Sequence, residues 1–311
     1  MIVFGPVPSR RLGRSLGINN IPPKHCSYSC LYCQVGPTQA TEMEPCEFYS
    51  PEQVFGEVQE QVVRQKRQGE TIDYLTFVPD GEPTLDTALG ETIKRLRSLG
   101  IRIAVISNAS LVWRDEVREM LKTADWVSLK VDTVDASIWQ RINQPHQGLE
   151  LATVLSGMQR FAAEFTGTLA TETMLLEDLN TDEESILRVA AFLRKLAPAK
   201  AYLAIPTRPT ADRSVRIPDE ATINRIYQMV GSIVPGVELL TGYEGNAFSS
   251  TGDFVSDLLA ITSVHPLRKD AVLKLLAKTG DDWSAVQALL DVGKIREIRY
   301  RGATFYLRAF R

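Results

Sequence analysis

Cys26, Cys30 and Cys33 lie within eight residues of one another in a chain that has four cysteines in all. Such a distribution does not make a disulfide framework. In a reducing compartment a group like this binds metal or does redox chemistry. A cubane iron–sulfur cluster has about four irons and is usually held by four thiolates, so three thiolates leave one iron open to another ligand. The other use of these residues is a structural zinc site completed by Cys46 or His25. Structural zinc sites usually pair two short chelating loops, and the sequence offers no second cysteine pair. Cys46, after Pro45, reads as a small buried hydrophobe.

Other residues of interest are spread along the chain. Pro79-Asp80-Gly81-Glu82-Pro83 combines a glycine, which lets backbone approach closely, with a carboxylate that can accept from an ammonium donor. A plain turn is the alternative. Ser107, Asn108 and Ser128 offer hydroxyl and amide donors. Lys130 and Asp132 are candidates for substrate contact or proton transfer, with Glu172 and Arg208 behind them; a lumenal ion pair or a solvated rim is the competing use. Arg10, Arg11 and Arg14 would grip a phosphate or carboxylate, or form a solvated face.

The frame that positions them is an alternation of strand and helix. β-rich runs near Ser15–Asn19, Tyr74–Val78, Ile101–Ser107, Trp126–Val131, Thr168–Leu176 and Ala201–Ile205 are each followed by a helical stretch. The helices expected are Pro51–Arg67, Thr87–Leu99, Arg114–Lys122, Leu149–Phe165, Glu183–Leu196 and Asp219–Val234. Ser50-Pro51 and Asp219 mark helix starts, and Gly100 a helix end. Six such units predict parallel strands joined by right-handed crossovers. Ser128, Lys130 and Asp132 alternate with Val127, Leu129 and Val131, which predicts a polar lumen and therefore a barrel. The cysteine loop follows the first strand, at the mouth where barrels of this kind carry their chemistry.

The pattern changes after Val234. Val237–Tyr243 reads as one more strand and Gly245–Gly252 as a linker. Three short helices near Phe254–Thr262, Lys269–Lys278 and Ser284–Leu290 precede a hairpin, Ile295–Arg299 and Ala303–Arg308, turning at Arg301-Gly302. This is a winged-helix outline and gives two domains, 1–252 and 253–311. The net charge of −3 argues against a surface that coats nucleic acid. The second domain nevertheless carries 10 Lys and Arg against 7 Asp and Glu. Without an apolar run of about 18 residues or a signal-peptide pattern, a cytoplasmic chain with no membrane partner is expected.

Taken together, the motif Cys26-Ser27-Tyr28-Ser29-Cys30-Leu31-Tyr32-Cys33, with its aromatic before the third cysteine, resembles the radical S-adenosylmethionine (SAM) superfamily. The resemblance implies an α/β partial (β/α)6 barrel and one [4Fe-4S] cluster on Cys26, Cys30 and Cys33. SAM would chelate the open iron through its amino and carboxylate groups and be cleaved by one electron to a 5′-deoxyadenosyl radical. It also implies SAM-site roles for Tyr32, for Gly81 and Glu82 at the methionyl amino group, and for Ser107, Asn108 and Ser128 at the ribose and carboxylate. Ala204-Ile205-Pro206 resembles the segment that backs the adenine. An electron donor such as flavodoxin or ferredoxin is implied as well. The opening Phe4–Gly13 resembles a branch grouped with the wyosine-type tRNA-modifying proteins, although the extra cysteines of the wyosine-forming enzyme are missing here. Expected substrates are therefore RNA or a nucleotide, or else a peptide or protein, engaged through the C-terminal module. A redox-sensing DNA-binding regulator is the alternative from another class, disfavoured by the Gly81-Glu82 element, which a sensor would not need.

Overall fold

The computed structural model describes residues 2–242, 250 and 252–309. One sheet takes eight strands in chain order: β1 (Val3–Ser9), β2 (Gly13–Ile18), β3 (Tyr74–Phe77), β4 (Arg102–Ser107), β5 (Trp126–Lys130), β6 (Thr168–Met174), β7 (Lys200–Ala204) and β8 (Val237–Leu240). From β2 onward all neighbours are parallel, and β1 runs antiparallel to β2. The sheet curls into an open half-barrel. The six expected β/α units are all present, with one further strand at each edge of the sheet.

The crossovers are α1 (Pro51–Arg67), α2 (Leu89–Leu96), α3 (Asp115–Leu121), α4 (Ala136–Asn143), α5 (Leu151–Glu164), α6 (Glu183–Leu196) and α7 (Glu220–Gly231). Each buries one stripe. In α1 it is Val54, Val58 and Val62, spaced one turn apart. Ser50 caps α1 by accepting from the Gln53 N–H at 3.2 Å, Asp219 caps α7 in the same way, and Gly100 takes the left-handed conformation after the α2 turn. The main core lies between these helices and the outward strand residues, among them Val105, Val127, Leu129 and Leu203. The inward positions Ala104, Trp126, Ala170 and Tyr202 form a second apolar layer with Leu12 and Leu240, which floors the lumen.

Two elements differ from the sequence expectation. β1 contains Pro6 and Pro8, which read as loop; the strand accommodates them because it is the outermost in the sheet and has no further ladder to donate to. α4 has eight residues and few apolar positions, too short to give a helical period. Of the expected linker Gly245–Gly252, all but Ser250 and Gly252 lie outside the described residues, as does Tyr243.

The last part of the chain holds α8 (Phe254–Val264), β9 (Leu267–Arg268), α9 (Lys269–Thr279), α10 (Trp283–Asp291), β10 (Ile295–Tyr300) and β11 (Ala303–Arg308), with the strands ordered β10-β11-β9. It has its own core, built around Phe254, Leu258, Leu275, Val286, Ile295 and Tyr306. Val7 of β1 packs against that core and Phe4 against Ala260, so α8 lies on β1. Among the described residues no helix is long and apolar enough to cross a membrane.

Candidate functional site

Cys26, Cys30 and Cys33 sit in the connection from β2 to α1, at the carboxyl ends of the parallel strands. They line one cavity of about 280 Å³ together with Tyr32, Asp80, Gly81, Lys130, Glu172 and Arg208. The loop has no regular structure, so its backbone groups must be paired by neighbours. On one side Lys24 N–H donates to the Asp80 carbonyl at 2.7 Å and Glu82 N–H to the His25 carbonyl at 2.9 Å. On the other, Ser29 and Leu31 N–H groups donate to Asn143 and Ile142 carbonyls at the end of α4 (3.1 and 2.9 Å). Lys24 Nζ closes the loop from within by donating to the Val35 and Gly36 carbonyls. The first clamp explains Gly81: a Cβ there would stand 2.0 Å from the His25 carbonyl oxygen, so no larger residue permits this approach.

The donor set fits a thiolate-held cluster. Two amides point at sulfur, Asn108 Nδ2 at Cys26 Sγ (3.6 Å) and Asn143 Nδ2 at Cys30 Sγ (3.4 Å), an arrangement that orients ligand sulfurs and tunes a cluster. Burial pushes all three thiols up, Cys30 to about 12, and the neighbouring cysteines add to the rise for Cys26 and Cys30. Thiolates therefore form here with a bound cation to compensate them, and loading releases protons. The two residues that would complete a zinc site do not line this cavity. His25 Nδ1 pairs with Glu42 at 2.9 Å, and Cys46 is exposed, with its backbone bonded to Leu85 and Thr87. That also corrects the reading of Cys46 as a buried hydrophobe.

In the Pro79–Pro83 segment the two carboxylates are placed differently. Glu82 is 1% exposed, and its carboxylate accepts from Thr84 N–H (3.1 Å), Thr84 Oγ1 (2.6 Å), Ser107 Oγ (2.7 Å) and Asn108 N–H (2.7 Å). Burial raises its pKa and these bonds oppose the rise. With four donors already upon it, this carboxylate is turned into the protein; it ties β4 to the loop after β3. Ser107 is committed to it and faces away from the cavity. Asp80, in contrast, lines the cavity at 3% exposure. Its Oδ1 lies 3.3 Å from Lys24 Nζ, while its buried Oδ2 has no hydrogen-bond partner. Burial pushes Asp80 up to about 6, against the pull of Lys24.

Lys130 lines the cavity from the end of β5 and donates to Glu172 Oε1 at 2.6 Å, its strand neighbour in register. Arg11 donates to the other oxygen of Glu172. Burial alone would raise Glu172, but Lys130 and Arg11 outweigh it and hold the group at about 2. Burial likewise works against the Lys130 charge and Glu172 overcomes it, so the pair is ionic. Lys130 Nζ also stands 4.8 Å from the centre of the Tyr32 ring. Ser128 lies one step below Lys130 on the same strand face, 1% exposed, beneath the cavity lining.

Asp132 does not share the lumen face. The strand ends at Lys130, and Asp132 turns to accept from Tyr32 Oη, from Asn143 Nδ2 at 2.8 Å and from Met174 N–H at 2.8 Å. Two residues not anticipated belong here. Asn143 sits in the unexpected helix α4 and bridges Cys30, Tyr32 and Asp132; no local pattern marks it. Gln34 follows Cys33 and accepts from Arg208 Nη1 at 3.0 Å.

Residues 20–190 match the radical SAM superfamily. A UPF0026 protein of Methanocaldococcus jannaschii is 45% identical over 309 residues, 99% of this chain and 96% of its own length. Among solved structures, TYW1 with a bound lysine-pyruvate adduct superposes with a TM-score of 0.54 at 16% identity, over 71% of this chain and 74% of that one. Streptococcus suis SuiB bound to precursor peptide SuiA gives 0.53 at 14%, over 72% and 48%. At these identities the two structures are alike in fold.

Proposed function

This chain belongs to the radical SAM superfamily and is an enzyme that works with a [4Fe-4S] cluster and SAM, and from that premise we propose that its substrate is an RNA or a nucleotide. The observation that carries this reading is the charge around the cavity. Arg10, Arg11, Lys130 and Arg208 line it against Asp80 and Glu172, a surplus of positive charge where substrate must enter. Such a mouth attracts a phosphate-bearing molecule. TYW1, whose overlay supports the fold, is similar in architecture alone, so the charge argument stands by itself. Residues 253–311 follow the order helix, strand, helix, helix, strand, strand, and we read them as a winged helix. Arg296, Arg299 and Arg301 on its hairpin are exposed. Arg296 and Arg299 are three positions apart on one strand and so face opposite sides, which makes the basic face of the hairpin narrow.

The bound cluster and SAM supply one-electron chemistry at the cavity. This chain's residues do the holding. Cys26, Cys30 and Cys33 would hold the cluster, Asn108 and Asn143 would orient two of the sulfurs, and Tyr32 forms part of the wall. The unpartnered Asp80 Oδ2 would take the ammonium of SAM, with Glu82 fixing the loop that presents it. Lys130, held charged by Glu172, would be a donor to substrate from the cavity wall; Asp132 is a positioning residue for Tyr32 and Asn143. We expect Asp80→Asn to keep its iron and to weaken SAM binding about tenfold, the size of a lost charge-assisted hydrogen bond. Equilibrium dialysis of anaerobically reconstituted protein reads this, and unchanged affinity returns the ammonium to another acceptor.

The substrate class is tested by RNA binding. Fluorescence anisotropy with short single-stranded RNA is expected to show affinity that falls steeply with salt, and Arg10→Glu at the exposed rim is expected to weaken it at least severalfold. Mass spectrometry of small RNAs from a deletion strain then locates the modified nucleotide. Absence of binding, or binding indifferent to salt, rejects the RNA reading in favour of a peptide substrate.

A further inference from the structure

A wall of the cluster cavity is made by the turn after β7, where Ile205, Pro206, Thr207 and Arg208 all line it. This turn is gripped from the C-terminal part of the chain at two points. Tyr300 Oη, on β10, donates to the Pro206 carbonyl at 3.0 Å. Arg208 Nη2 lies 2.8 Å from Nε2 of His265, the residue after α8. A guanidinium only donates, so His265 accepts at Nε2 and is the neutral tautomer with its proton on Nδ1. Both partners are 8% exposed, so the bond is shielded from water. The other arm of Arg208 reaches Gln34, next to Cys33, and the Asp212 N–H donates to the Leu31 carbonyl at 2.9 Å. A continuous series of hydrogen bonds thus runs from the C-terminal part, through the cavity wall, to the cysteine loop.

From sequence, residues 253–311 are a detachable recruitment module. We propose instead that they complete the SAM pocket: His265 and Tyr300 are positioning residues that fix the 205–208 wall against bound SAM. The wall lies past the end of β7, where the strand ladder no longer holds it. Ile205 is anchored in the main core, and a second, larger cavity of about 880 Å³, lined by Tyr300 and Arg301, opens beside it. Beyond Ile205 the segment is therefore held in part by the bonds made to it at Pro206 and Arg208. The proposal rests on the assignment of the cluster cavity to SAM.

The test uses full-length, anaerobically reconstituted protein and SAM itself as the probe. Tyr300→Phe removes one donor and nothing else, and His265→Ala removes the acceptor of Arg208. Each is expected to load the same iron as wild type and to bind SAM about fivefold more weakly, and the double variant more weakly still. His265→Gln, which returns an acceptor at a similar reach, is expected to recover most of the loss. A residue that merely stabilised the fold would show no such rescue and would lower thermal stability in step with affinity. Wild-type SAM affinity in both Tyr300→Phe and His265→Ala overturns the proposal, as does a His265→Gln variant no better than alanine. Failure of the underlying assignment would appear separately, as absence of SAM binding in the wild type.

Discussion

Alanine in place of Cys26, Cys30 or Cys33 is expected to take reconstituted protein from about four irons and four sulfides per chain to close to none. The three thiols line one cavity, and burial keeps each of them protonated until a cation compensates the thiolate. Two remaining thiolates hold a cubane poorly, and no further cysteine or histidine lines the cavity to replace the third. Cys46→Ala is expected to load fully, because Cys46 is exposed and is joined to its neighbours by backbone bonds. Iron and sulfide assays with absorbance in the visible range decide the matter. Loss of iron in the Cys46 variant, or its retention in any of the other three, refutes this ligand set.

Glu82→Ala is expected to act on the fold before it acts on any ligand. Removing this carboxylate leaves two backbone N–H groups and two hydroxyls without their acceptor in a buried place. An orphaned buried donor costs about 1–3 kcal/mol. With some relaxation of the hydroxyls, a loss on the order of 3–5 kcal/mol is expected, equivalent to roughly 5–8 °C in melting temperature for a chain of this size. Glu82→Gln keeps one good acceptor and is expected to lose roughly half as much. Thermal unfolding of the iron-free protein measures this without involving SAM. A melting temperature within about 2 °C of wild type in Glu82→Ala would show that the four bonds contribute little.

The two residues on either side of Gly81 show how far the sequence could be read. The motif Asp80-Gly81-Glu82 is visible as a unit, and so is its place at the end of a strand near the cysteines. What the letters do not show is which carboxylate faces the cavity. That depends on which donors lie within reach, and Ser107 and Asn108 come from a strand some 25 positions away in the chain. The same holds for Asp132. Its alternation with Lys130 is correct as a strand pattern, but the strand ends at Lys130, so the alternation no longer tells where the next side chain points. The six β/α units were legible because long amphipathic helices and apolar strands each carry a strong period. β1, α4 and β9 (two residues) were not, being proline-bearing or short. Lys130 was legible as a lumenal charge, whereas its ionic partners had to come from the register of β5 on β6 and from the turn before β2.

The packing of α8 on β1 has a bearing on how this chain behaves in company. An incomplete barrel has a first strand and a last one, and each presents unpaired N–H and C=O groups that another chain's strand can extend. β1 is such a strand, and it carries Phe4 and Val7 where α8 now covers them. Shorn of residues 253–311, the strand would keep the same open ladder and lose the cover over Phe4 and Val7. By covering those side chains, α8 withdraws the apolar contact that would favour the addition of another chain's strand at this edge.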